Sequence, residues 1–108
     1  MADFTVGEMQ DMQRRLQEQY KEYWHSLSPE RGKDQLLWMI AEIGEVIDIL
    51  KKDGIEKANA DPDTRRHFVE ELADVLMYYN DVLLCYGITP DELGKTYREK
   101  FEKNMDRW

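Results

Sequence analysis

The chain has 108 residues and a net charge of −8, from 23 acidic and 15 basic side chains, with 42% hydrophobic and 35% charged residues. That is enough for one modest domain, and the acidic balance argues against nucleic acid and against anionic membranes as partners. The longest apolar run is interrupted by acids, so no membrane span is expected. No secretory signal is seen in MADFTVGEMQ, and the single cysteine, Cys85, reads as a small buried side chain in a reducing, cytoplasmic setting.

The first helix announces its start. Thr5 with Glu8 has the form of a capping box, and Met9, Met12, Leu16, Tyr20, Tyr23 and Trp24 follow at amphipathic spacing. The pattern predicts a helix to about His25, broken by Ser26-Leu27-Ser28-Pro29. A second helix is expected from about Lys33 to Asp53, with Lys51 and Lys52 in its last turn and Gly54-Ile55 as its ending. Lys57 to Asp61 reads as a loop. Asp61-Pro62 then opens a third helix running to about Tyr86, and Gly87-Ile88 repeats the glycine ending. Thr89-Pro90-Asp91-Glu92 starts a fourth helix to about Met105. No stretch alternates as a strand would, so the expected class is all-α, a four-helix-bundle-like single domain.

Leu36 to Leu50 carries the chemistry. Eleven of its fifteen residues are apolar, which predicts a helix buried on nearly every side, yet Glu42, Glu45 and Asp48 stand in it at i, i+3 and i+6. Buried carboxylates are costly unless paired or coordinated, and no Lys or Arg lies within the run. The third helix repeats the oddity with Glu71 and Asp74 in a second apolar run. Glu70, which is i, i+4 from Asp74, could replace Glu71 in register; Glu71 is preferred, with Glu70 as its solvated neighbour. Two such pairs on neighbouring helices can aim four carboxylates at one point. Four anions there would repel one another and raise their pKa values, whereas a hard divalent cation such as Mg²⁺ would neutralise them and admit a polyphosphate. A lone E-x-x-E is usually a solvated face; it is the second pair in apolar surroundings that favours a metal.

At these residues the chain resembles the MazG-like all-α nucleoside triphosphate pyrophosphohydrolases. Glu42-Ile43-Gly44-Glu45 is similar to the family's first acidic motif, and Glu71-Leu72-Ala73-Asp74-Val75-Leu76-Met77-Tyr78 to its second. The tail Lys100 to Trp108 resembles the family's closing K-x-x-x-N-x-x-R-(aromatic) pattern. The likeness covers roughly Leu36 to Trp108; the first helix is only compatible with it. It implies hydrolysis of a (deoxy)nucleoside triphosphate to the monophosphate and pyrophosphate, by a metal-bound water attacking the α-phosphorus, with Mg²⁺ required and Mn²⁺ as a substitute. Glu42, Glu45, Glu71 and Asp74 would hold the ions, and Glu42 or Glu45 would also take the proton of the attacking water. Lys100, Asn104 and Arg107 would contact phosphates or sugar, although a helix lysine on its own reads as solvated. Tyr78 would line the base pocket. Trp24 and Trp38 could stack on a base, with Trp38 equally readable as core. Lys52 stands where some relatives carry an aromatic, and Asp48 fits a supporting position behind the ligands.

A di-iron bundle needs two E-x-x-H motifs; Glu22 to His25 supplies one, and His67 has no such partner. The non-enzymatic alternative is an acidic helical interaction module whose carboxylates meet a partner's Lys or Arg. Twelve aromatics and two nearly all-apolar helices in so short a chain also call for a homodimer or homotetramer, which is how the family resembled here assembles.

Overall fold

The computed structural model describes residues 3–107 and is built of five helices, with no strand among the described residues. They are α1 (Val6–Gln19), α2 (Pro29–Asp53), α3 (Ile55–Ala60), α4 (Pro62–Cys85) and α5 (Pro90–Arg107). The final aromatic of the tail pattern, Trp108, lies outside the described residues. No helix among the described residues is long and apolar enough to cross a membrane.

The capping signals act as the sequence implies. Thr5 Oγ1 accepts from Glu8 N at 3.1 Å while Thr5 N donates to Glu8 Oε1 at 3.3 Å, which closes the capping box of α1. Asp61 caps α4 through Thr64 N at 3.1 Å, a bond that holds its carboxyl below the usual range. Thr89 Oγ1 accepts from Glu92 N at 3.1 Å at the start of α5. Gly54 and Gly87 adopt φ of +93° and +65°, where a side chain would be strained, and so end α2 and α4.

Three boundaries differ from expectation. Helix α1 stops at Gln19, because Tyr23 N and Trp24 N both turn back to Tyr20 O. The aromatic spacing that looked helical is a turn in which Tyr20 and Trp24 stack with centroids 4.9 Å apart. Helix α2 begins at Pro29, with Ser28 as N-cap accepting from Arg31 N at 3.1 Å; the Ser-Pro pair starts a helix rather than only breaking one. The expected loop at Lys57 to Asp61 is mostly taken up by the short α3, whose Ala58 is buried.

The body is the antiparallel pair of α2 and α4, with α3 bridging their connection and α1 laid across α4. The N-terminal turn of α2 comes so close to the end of α4 that a Cβ on Gly32 would clash with the Tyr86 ring; Tyr86 Oη also donates to Pro29 O at 2.8 Å. The apolar core is small and comprises Val46, Ile49, Ala58, Val82, Leu83 and Cys85. Burial pushes the Cys85 thiol up, as befits an inert side chain.

The expectation that α2 is buried all round is not met within one chain. Leu37, Trp38, Ile40 and Ile47 are exposed, because α4 and α3 cover only one side of the helix. Nor do the helices close into a bundle: α5 has no buried residue and no substantial interface with any other helix. The radius of gyration is 16.2 Å, where a compact chain of this length would have about 13 Å.

Candidate functional site

Helix α2 delivers Glu42 and Glu45 one turn apart, and α4 delivers Glu71 from the facing side. Each of the three offers a carboxylate oxygen within 4.8 Å of the other two. Glu71, not the exposed Glu70, is the residue in this triplet. Asp74 stands outside it, on the wall of the adjoining cleft, close enough for its charge to act on Glu42. Glu42 Oε2 and Glu71 Oε2 are both buried and accept no hydrogen bond from any described group. The cost is visible at Glu42: burial, then the charge of Glu45, pushes its pKa up to about 7, with Glu71 and Asp74 adding to the shift. His67 Nδ1 lies 4.0 Å from Glu71 Oε1. Asp48 lines a second recess, which it shares with Glu45 and Glu71 of the triplet and with Lys52 and His67.

Carboxylate oxygens gathered without donors are the coordination environment of a hard divalent cation, and Mg²⁺ or Mn²⁺ fits the donor set. Among the described residues no Lys or Arg forms an ion pair with Glu42, Glu45 or Glu71, although Lys52 shares a recess with Glu45 and Glu71.

Beside the acids opens a cleft of about 430 Å³ between α1, the following turn, α2 and α4. Trp24, Trp38 and Tyr78 all line it, so three of the aromatic residues singled out in the sequence meet in one place. Trp38 is 61% exposed and is therefore a wall of the cleft, not core. Burial, helped by the charge of Glu42, raises the Tyr78 phenol. Lys100, Asn104 and Arg107 do not line the cleft; all three are on α5, which makes no substantial interface with another helix, and Asn104 is half-buried there with an unpartnered Oδ1.

The far end of the cleft holds residues that no local sequence pattern marks as functional. Asp81, 5% exposed, accepts from Gln13 Nε2 at 2.9 Å and from Gln17 Nε2 at 3.4 Å, both at Oδ1. Gln35 Nε2 lies 3.4 Å from Asp81 Oδ2; with the amide turned over, its oxygen accepts from Arg31 Nη2 and Nε at 3.1 and 3.2 Å. Arg31 also donates to His25 O. Burial pushes the Asp81 carboxyl up, against the pull of Gln13, Gln17 and Arg31. The signal they carry is one of register. Asp81 is seven residues from Asp74, two turns along the same face, and Gln10, Gln13 and Gln17 form a polar stripe on α1. The buried residues of α1 are accordingly Gln10 and Gln13, while Met12 is exposed.

No protein-family model, no curated protein and no solved structure matches the chain.

Proposed function

We propose that the protein is a MazG-like pyrophosphohydrolase that cleaves a (deoxy)nucleoside triphosphate to the monophosphate and pyrophosphate, with Mg²⁺ as cofactor and Mn²⁺ as a substitute. The observation that carries this reading is the pair of buried, unpartnered oxygens on Glu42 and Glu71, next to Asp74, which itself lines an aromatic-walled cleft. Glu42, Glu45 and Glu71 would hold the cation, with Asp74 beside them. Bound there, Mg²⁺ supplies charge neutralisation for the acids and electrostatic stabilisation of the reacting phosphates.

The chain's own residues supply the rest. Glu42 or Glu45 takes the proton of the attacking water; a carboxylate with a pKa of about 7 before any cation binds is suited to exchanging one near neutrality. The water oxygen bonds to the α-phosphorus, the bond to the bridging oxygen breaks, and pyrophosphate leaves. Trp24, Trp38 and Tyr78 flank the base and exclude water from its faces.

Assembly belongs to the same proposal. The chain exposes 8654 Å², where a compact monomer of its mass exposes about 6,300 Å². The excess is in the range that each partner of an obligate interface gives up. A second copy covering α2 and α5, as a homodimer or within a homotetramer, would account for it and bring Lys100, Asn104 and Arg107 towards a triphosphate. A reducing cytoplasm suits the free Cys85 thiol.

The test is a panel of nucleoside triphosphates incubated with and without Mg²⁺, with the products separated. Pyrophosphate and monophosphate appearing together, and only with the metal, is the expected result. Orthophosphate appearing first, or no turnover of any triphosphate, overturns the assignment and leaves the acidic docking module.

A further inference from the structure

The acids and the aromatic walls leave the far end of the cleft unexplained. Two helices carry it in parallel registers: Gln35 is seven residues before Glu42 on α2, and Asp81 seven after Asp74 on α4. At 1.5 Å per residue each is about 10 Å from the acids along its helix. That is the scale of a nucleoside between its 5′ phosphate and the edge of its base.

The groups at that end are mostly acceptors. Asp81 presents a buried carboxylate to the cleft, and the amide nitrogens of Gln13 and Gln17 are spent on its Oδ1. Among the described residues, Gln13 Oε1 accepts no hydrogen bond, and neither does Gln17 Oε1. Among the described residues, the one cationic donor in the lining, Arg31, is already engaged by His25 O and by the Gln35 amide. A ring that meets Asp81 is best served by an N–H group of its own, and a carbonyl oxygen in the same place would face a carboxylate.

We propose that Asp81, with Gln13 and Gln17, selects a nucleobase that donates from an exocyclic amine, against the same ring carrying an oxo group at that position. This rests on the triphosphate reading and adds the class of base. The Asp81 carboxylate accepts from the amine, and the glutamines hold the carboxylate in place and offer their oxygens beside it. A purely structural Asp81, serving only to tie α1 to α4, would carry no such preference.

Two substrate pairs differ by little more than this exchange: cytidine and uridine triphosphates, and adenosine and inosine triphosphates. With Mg²⁺, kcat/KM should favour the amine member of each pair by at least about tenfold, since a site built to bond one group rejects its replacement strongly. Asp81→Asn, whose amide can donate to an oxo group, should bring that ratio to near one or below. Gln17→Leu, a milder change, should narrow it several-fold and serves if Asp81→Asn does not fold. Equal rates on both members in the parent, or an unchanged ratio in folded Asp81→Asn, overturns the inference while leaving pyrophosphate release intact. Quenching of tryptophan fluorescence by cytidine against uridine gives the same comparison without turnover. If no triphosphate is hydrolysed, the function falls, and the base preference is still decided by that titration: tighter cytidine supports it, equal or weaker cytidine overturns it.

Discussion

Glu42 on α2 and Glu71 on α4 each bury an Oε2 that no described group partners, and together with Glu45 they hold three carboxylate oxygens within 4.8 Å. The fold spends stability to keep these acids together. Like charges in a poorly hydrated place are relieved by a proton or by a cation, and the two compete.

That competition gives a pH dependence. The Glu42 pKa stands at about 7 against 4.5 for the free side chain, so between those values the folded chain binds more protons than the unfolded one. Stability from this group is complete below about pH 4.5 and is lost as pH rises towards and past 7. In chelator, the melting temperature should therefore fall between pH 5 and pH 8, and Glu42→Gln should flatten the fall. Mg²⁺ should raise the melting temperature more at pH 8 than at pH 6, because at the lower pH it must displace a proton. Equal Mg²⁺ stabilisation at both values would count against a cation at Glu42.

Glu45→Gln separates a metal ligand from a structural acid. It keeps shape and helix propensity but removes one charge and one ligand, so turnover should drop by about two orders of magnitude or more. In chelator the variant should melt at or above the parent, since repulsion in the triplet is relieved. A buried ion pair has the opposite sign, because removing one partner strands the other at a cost of about 3–5 kcal/mol. A lower melting point in chelator would identify Glu45 as structural.

Legibility in the sequence followed the range of the interactions. Thr5, Asp61 and Thr89 cap the helices they precede because capping is decided within four residues. Glu42, Glu45 and Glu71 were visible because acids in apolar runs conflict locally with burial. Asp81 was passed over because its meaning depends on Gln13 and Gln17, more than sixty residues away in the chain. The all-round apolar character of α2 was read as burial, yet one chain has only α3 and α4 to cover it, so Trp38 and Ile40 stay exposed. The same exposure now argues for a second copy.

Helix α5 provides a direct test of assembly. Tyr97 and Phe101, at i, i+4, are 73% and 53% exposed in the single chain, where charged replacements of surface residues usually change stability by less than about 0.5 kcal/mol. If a second copy covers them, Phe101→Glu should lower the melting temperature sharply and dissociate the protein. Light scattering should give about 26 kDa or a multiple of it for the parent, from a 13.0 kDa chain, and about 13 kDa for the variant. A parent that scatters as one chain at micromolar concentration removes the dimer.

The last prediction asks whose α5 serves which acids. Lys100 is exposed on a helix without a substantial interface to the body, and it does not line its own cleft. If it meets the triphosphate, it does so most directly from a second copy. Lys100→Ala should then raise KM, through loss of one charge on the phosphates, without removing cation binding. Mixing unfolded Lys100→Ala with unfolded Glu45→Gln and refolding them together makes the distinction. In a mixed dimer with shared sites, one site carries both lesions and the other carries neither. Random pairing places half of the chains in mixed dimers, so activity at low substrate should recover to about a quarter of the parent. If each chain supplies both its acids and its own Lys100, every site keeps one lesion and nothing is recovered. Recovery on co-refolding, and none on mixing the folded proteins without exchange, would place the α5 lysine in its partner's cleft; no recovery in either case would return it to its own.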